Sequence, residues 1–280
     1  MGVEWRHLWL NYTEPRMFAS AASTFRSWAD AALSFVYPEV CQLCGEQRAT
    51  PRQGYVCPAC RRKVRFIKPP FCRRCGLPYP GEFTAEFECS NCREMEFHFC
   101  WARSAVETRS PVLDVIHRYK YNRQLWFEPF LADLLVGMAA PVLREEPWDG
   151  IVPVPLHPLK QREREFNQAE RLGRHLAAAT GIPLRPRWLK RVKSTQTQTR
   201  LARPERAVNV HNAFAVGKAD EVKGKRLVLL DDVLTTGATT NACAQVLVKA
   251  GAERVCVWTV ARGMPGVDLI QKESAEAESS

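Results

Sequence analysis

Apolar positions along this chain are spaced in two ways that alternate. Short apolar-rich runs at 101–107, 151–155, 227–230 and 254–260 have the length and composition of strands inside a sheet. Between them, at 111–121, 124–143, 167–179 and 238–249, apolar residues return with helical spacing. Short strands are also expected near Leu189 and at 214–216. Strand and helix in alternation predict an α/β fold: a parallel sheet with helices on both faces. Ser110 and Pro111 are expected to cap and open their helix.

Upstream, residues 17–36 read as an amphipathic helix with Phe18, Ala21, Phe25, Trp28, Ala32 and Phe35 near one face. Polar residues break it too often for it to span a bilayer, so no transmembrane span is expected. It is expected either to dock on the rest of the protein or to lie on a membrane surface. Beyond Arg262 the residues become small, polar and charged, which predicts a disordered tail.

One strand ends in chemistry. After 227–230 come Asp231 and Asp232, then a Thr/Gly turn through Thr235, Thr236, Gly237, Ala238 and Thr239, then a helix. Open α/β sheets bind ligands at the carboxyl ends of their strands. Adjacent acids on an extended segment point to opposite sides. One can therefore accept hydrogen bonds from vicinal ribose hydroxyls while the other faces a metal or a second hydroxyl. Gly237 tolerates positive φ, and free backbone N–H groups at the helix start stabilise an anion. The order describes a cradle for a phosphorylated sugar. It is not a Walker loop, since no Lys stands in it.

A second strand is stopped by proline. In 151–159, Pro153, Pro155 and Pro158 force the chain out of the sheet near Pro155 into a stiff loop. Pro155, Leu156, His157, Lys160 and Arg162 form that loop, and Arg164 follows it. A rigid loop flanked by cations suits pyrophosphate, which needs charge-assisted donors and Mg²⁺. Phe166-Asn167-Gln168 then opens the next helix.

The amino-terminal third follows another logic. Of eleven cysteines, eight form four C-x-x-C pairs: Cys41/Cys44, Cys57/Cys60, Cys72/Cys75 and Cys89/Cys92. Residues 1–40 lack the pattern of a secretory leader, so the reducing cytosol is the expected compartment and disulfides are not expected. Each successive two pairs can close a tetrahedral Cys₄ site, giving one or two structural zinc ions with no open coordination position. Interleaved ligation is the alternative to this sequential pairing. Cys100, Cys243 and Cys256 read as buried small hydrophobes.

Charge sharpens the picture. The chain of 280 residues carries a net charge of +10, which favours phosphate-bearing partners. From Arg48 to Arg74 there are nine Lys or Arg and no acid, with Tyr55, Phe66 and Phe71 among them. Such a face attracts polyanions, and its aromatics can either stack single-stranded bases or pack the small cores beneath the metals.

These motifs carry two resemblances. The segment 228–240 resembles the phosphoribosyl pyrophosphate signature of type I phosphoribosyltransferases. That resemblance implies that Asp231 and Asp232 hold the ribose 2′ and 3′ hydroxyls and that Thr235, Thr236, Gly237, Ala238 and Thr239 hold the 5′-phosphate. The 6-oxopurine transferases carry an acid where this chain has Thr235, which disfavours hypoxanthine or guanine as acceptor. The polar run 193–206 reads as a mobile lid that excludes water from an oxocarbenium-like state, with Arg200, Arg203 and Arg206 stabilising departing pyrophosphate.

Over residues 17–262 the chain also resembles the ComF family. The residues that carry this are the paired cysteines, Ile116-His-Arg-Tyr-Lys120, Val154-Pro-Leu-His-Pro158, Phe166-Asn-Gln168, the Thr/Gln/Arg run and the Asp-Asp motif. The resemblance implies a type I phosphoribosyltransferase-like domain at 99–263 behind a double zinc ribbon at 38–98. The helical region 1–37 would precede them and the tail 264–280 would follow. It implies phosphoribosyl pyrophosphate with Mg²⁺ as ligand and links to DNA uptake, single-stranded DNA and competence-machinery proteins. The expected place is the cytoplasm, with peripheral attachment at the inner face of the membrane as a refinement. Transfer of phosphoribose to a nitrogen acceptor is one implied role. The acid-free basic run beside the phosphate motif gives the alternative, a non-catalytic single-strand-binding protein regulated by phosphoribosyl pyrophosphate.

Overall fold

The computed structural model describes residues 39–79, 89–93, 95–157, 165–193 and 213–264. The expected helix 17–36, the loop cations Lys160, Arg162 and Arg164, the lid arginines Arg200, Arg203 and Arg206, and the tail from 265 lie outside the described residues. Helices α1 (Pro58–Arg62) and α2 (Ser90–Arg93) belong to the cysteine-rich region. Strand β1 (Ala102–Glu107), helices α3 (Val112–Tyr121) and α4 (Glu128–Leu143), strand β2 (Gly150–Pro153) and helix α5 (Gln168–Thr180) follow. Then come strands β3 (Leu189–Arg191) and β4 (Phe214–Val216), helix α6 (Ala219–Val222), strand β5 (Arg226–Leu234), helix α7 (Ala238–Lys249) and strand β6 (Arg254–Arg262).

Four strands make one parallel sheet in the order β1-β6-β5-β2, while β3 and β4 form a separate antiparallel pair. Alternation along β5 explains the two layers. Val228 and Leu230 enter a core shared with α3, α4 and α5, whereas Leu227 and Leu229 enter another shared with α7. Helix α5 buries Ala169, Leu172 and Leu176, the i, i+3, i+7 stripe its spacing predicts. Helix α4 is apolar nearly all round because it is enclosed by the sheet, α5 and the ribbon. The stretch Leu125–Leu143 is apolar and long enough to cross a membrane, yet more than half of it is buried inside this core.

Both sheet edges are covered, as exposed edges invite unwanted pairing. Along β1, Ile67 N donates to Ala105 O (3.0 Å), Glu107 N to Arg65 O (2.9 Å) and Ala102 N to Arg74 O (2.7 Å). On the far side, Ile151 N donates to Pro183 O (2.9 Å) and Arg185 N to Ile151 O (2.8 Å).

Two details differ from the sequence expectation. Pro111 itself is the N-cap of α3, and Ser110 Oγ donates to Asp114 Oδ2 at 2.7 Å instead of capping the backbone. Cys100 is exposed, not buried, because it lies between the inward-facing Phe99 and Trp101. The reason for Phe166-Asn167-Gln168 is also visible. Asn167 Oδ1 caps Ala169 N (3.0 Å) and Glu170 N (3.4 Å), while its Nδ2 donates to Val154 O at 3.1 Å. One side chain thus caps α5, a contribution of about 1 kcal/mol, and closes the proline loop onto the end of β2.

Candidate phosphosugar site and cysteine quartets

Strand β5 runs past Leu230 to Leu234, so both acids lie on its last turns of pleat, beside the point where β2 ends at Pro153. Period two sends them apart. Asp232 continues the Val228–Leu230 face and meets α3, where Lys120 Nζ stands 2.8 Å from its Oδ1 in a mostly buried pair. Asp231 continues the other face, toward Cys243 of α7 and the field of Arg191 on β3. Its Oδ1 accepts a hydrogen bond from Asp232 N at 2.9 Å.

Burial and then the Asp232 charge push the Asp231 carboxyl up to about 7, against the pull of Lys120. Two carboxylates on successive residues at a sheet's end make it rich in oxygen and negative charge. Such oxygens are the donor type that Mg²⁺ takes.

The turn that follows is held from below. Gly237 adopts φ +89°, and a Cβ there would lie 2.9 Å from Phe97 Cε1, so both conformation and space require glycine. Thr236 Oγ1 accepts from Ala238 N (3.3 Å), and Asn241 N donates to Gly237 O (2.8 Å) as α7 begins. Buried Arg262 donates from Nη1 to Leu234 O (2.8 Å), to Thr235 O and to Gly263 O (3.3 Å). The structure thus gathers Pro155, Leu156 and His157, the acid pair and the Thr235–Thr239 turn at one end of the sheet. Lys120 and Arg262 are part of this site although spacing alone gave them no role. Lys120 stood only inside a family segment.

The eight paired cysteines form two quartets, Cys41/Cys44/Cys57/Cys60 and Cys72/Cys75/Cys89/Cys92, each with its sulfurs within 4.8 Å of one another. The pairing is sequential, as expected. Sulfur separations are 3.8 Å for Cys41–Cys60 and Cys44–Cys57, 3.6 Å for Cys72–Cys92 and 3.4 Å for Cys75–Cys89. Tetrahedral zinc with Zn–S bonds of about 2.3 Å puts its sulfurs about 3.8 Å apart, so both quartets fit the ion. Backbone N–H groups already point at sulfur: burial raises the Cys41 thiol, but N–H donors of Cys44, Cys57 and Leu43 outweigh it and hold it at about 6. Four-thiolate sites of this kind are structural.

Part of the basic run is already engaged. Arg48 pairs with Glu39, Arg61 with Asp133, and Arg74 donates to Phe97 O. Phe71 lies under the Arg103 guanidinium (4.5 Å) and Phe66 packs on the core, so both aromatics support the ribbon. Arg62, Lys63, Arg65, Lys68 and Arg73 remain exposed.

The chain is similar to several known proteins. The double zinc ribbon domain family matches residues 32–94. Competence protein F of Haemophilus influenzae is 33% identical over 215 residues, covering 74% of this chain and 90% of its own. The DNA utilization protein YhgH of Salmonella typhimurium is 33% identical over 230 residues, covering 80% and 97%. Among solved structures, a purine phosphoribosyltransferase from Pyrococcus horikoshii matches 48% of this chain and 83% of its own at 21% identity, with a TM-score of 0.31. The glutamine phosphoribosylpyrophosphate amidotransferase of B. subtilis matches 45% of this chain at 24% identity and a TM-score of 0.31, and the chain spans 24% of that protein. With a double zinc ribbon joined to a parallel α/β sheet and relatives aligned along most of their length, the chain belongs to the ComF family of competence and DNA-utilization proteins.

Proposed function

We propose that this protein binds phosphoribosyl pyrophosphate with Mg²⁺ and transfers its phosphoribosyl group to a nitrogen acceptor, in the handling of incoming single-stranded DNA. The observation that carries this reading is the acid pair at the end of β5, continued directly by a glycine-hinged hydroxyl turn on the start of α7. In this reading Asp231 and Asp232 hold the ribose hydroxyls, and residues 235–239 take the 5′-phosphate on backbone N–H groups and hydroxyls. The loop 155–157 with Lys160 and Arg162 takes the pyrophosphate. The acid pair would hold Mg²⁺, which would supply neutralisation of the leaving group. The C1–O bond breaks with its electron pair going to pyrophosphate, Arg200 and Arg203 stabilise that charge, and the acceptor nitrogen donates its lone pair to C1 and gives up its proton to the departing pyrophosphate. The acids position the sugar and do not transfer a proton.

Ionisation of Asp231 gives the test a sign. A carboxyl near 7 is mostly neutral at pH 6, while hydroxyls and Mg²⁺ call for the carboxylate. Calorimetric affinity for phosphoribosyl pyrophosphate with Mg²⁺ is expected to rise about tenfold from pH 6 to pH 8 and then flatten. The same preparation, given labelled ligand and a panel of nitrogen bases, is expected to release pyrophosphate above the blank. Absence of heat at every pH would end the reading, and binding without turnover would leave only its binding half.

A second reading rests on the exposed cations of the ribbon: the protein is a single-strand binder that the sugar phosphate regulates without catalysis. Replacing Arg62, Lys63 and Arg65 by Ala is expected to weaken affinity for a single-stranded oligonucleotide. The log–log salt slope should shrink by about 0.7 for each phosphate that is no longer neutralised. Unchanged binding and slope would exclude this face.

A further inference from the structure

The two quartets dock on opposite faces of the sheet. Cys41, Cys57 and Cys60 share a core with α3, α4 and α5, whereas Cys72, Cys75 and Cys89 share one with Leu234, Ala238 and α7. The first is fastened by Arg61 to Asp133 and by Arg118 Nη1 to Gln42 O (2.5 Å), both far from the turn 235–239 along the chain and on the other layer. The second reaches that turn in three ways. Arg262 Nη2 stands 4.0 Å from Cys75 Sγ while its Nη1 donates to the carbonyls of Leu234, Thr235 and Gly263. Phe97, whose carbonyl accepts from Arg74 inside the Cys72–Cys75 knuckle, lies directly beneath Gly237. Asn241, one turn into α7, accepts from His98 N (2.7 Å) and donates to Glu96 O (2.8 Å) just past Cys92.

The physics of Arg262 makes this more than proximity. Its side chain is almost wholly buried, and a guanidinium has a rigid planar fork that cannot be deprotonated or bent to follow a moved partner. Zinc with four thiolates carries a net double negative charge. Carbonyl oxygens on one edge and the charged cluster on the other therefore compensate the buried cation together. Loss of the cluster removes one side of that compensation, and the cation must shift, taking the carbonyls of 234 and 235 with it.

We propose that metal in the Cys72/Cys75/Cys89/Cys92 quartet fixes the phosphate turn through Arg262 and Phe97, so that the second zinc site, unlike the first, governs phosphate binding. Arg262 is then a positioning residue, and its proposed role rests on the reading of residues 235–239 as a phosphate cradle.

The test uses full-length, zinc-loaded protein and the variants Cys92→Ser, Cys44→Ser and Arg262→Met, each checked for zinc content. Hydrogen exchange of amides 234–241 without ligand is expected to quicken about tenfold in Cys92→Ser and Arg262→Met and to stay at the wild-type rate in Cys44→Ser. Affinity for phosphoribosyl pyrophosphate with Mg²⁺ should fall about tenfold in the same two variants, a coupling of ordinary size. Arg262→Lys, which keeps the charge and loses the fork, should recover only part of either property. If Cys92→Ser does not fold, Arg262→Met with both zinc ions retained decides the matter alone. Wild-type exchange and affinity in Arg262→Met, or equal effects from the two cysteine variants, would overturn the proposal. If the unmodified protein takes up no phosphoribosyl pyrophosphate, the functional reading falls, and the exchange measurement still decides the coupling.

Discussion

Asp231→Asn, alone or with Asp232→Asn, is expected to abolish uptake of phosphoribosyl pyrophosphate, and the single Asp231→Asn substitution should also make the protein harder to melt. Each carboxylate lost from a charged hydrogen-bonding site costs about 1.5–3 kcal/mol, so the pair should cost at least about a hundredfold in affinity. The gain in stability comes from the same residue. Asp231 titrates near 7 in the folded protein against an ordinary 3.8, so the folded state binds the extra proton between those values. The stability this group contributes is present below pH 3.8 and is lost as pH rises through 7. At pH 8 its ionised form is a cost of folding, and asparagine removes that cost. Differential scanning calorimetry should show a higher melting temperature for Asp231→Asn at pH 8 and little difference at pH 4. Equal shifts at both values would mean that the carboxyl is not raised, and retained affinity would remove the acid pair from the site.

Stripping zinc should have the largest structural effect. A structural zinc contributes about 10–16 kcal/mol to a small domain, as much as the whole stability of many proteins. Chelation is therefore expected to unfold the segments 39–79 and 89–93 and release two zinc ions per chain. The backbone hydrogen bonds from Arg65, Ile67 and Arg74 that cover β1 go with them, and the uncovered edge should then associate with other copies. A colorimetric zinc indicator, circular dichroism and light scattering would follow the three events. In the native protein a thiol reagent should modify the exposed Cys100 first, and chelation should add the eight quartet cysteines. Release of zinc without loss of structure would show that the quartets are not what holds the ribbon.

The order of strands and helices could be read from the sequence because each rests on periodicity within a dozen residues. The cysteine pairs are equally local, and the structure selects their sequential use over the interleaved alternative. What could not be read is contact between distant segments. Lys120 reaches an acid on β5, Asn241 joins Glu96 across 145 residues, and Arg262 reaches Cys75 across 187. No pattern within one segment reports such a partner. Cys100 departs from expectation for a different reason. Its apolar neighbours suggested a core, whereas strict alternation between Phe99 and Trp101 places it outside. The basic run likewise looks uniform, yet Asp133, Glu39 and the Phe97 carbonyl engage three of its members, and Phe66 and Phe71 serve packing.

The seam between ribbon and sheet is made of two unlike kinds of thread. Main-chain pairing to β1 is indifferent to side-chain identity, but the fits of Arg262 to Cys75 and of Phe97 to Gly237 are not. Hybrids that exchange the metal-binding portion between family members would inherit the first kind from any donor. They would keep the second only when the residues at 97 and 262 descend from the same parent as the knuckle they meet, so the two ends of this chain are bound to evolve as a unit.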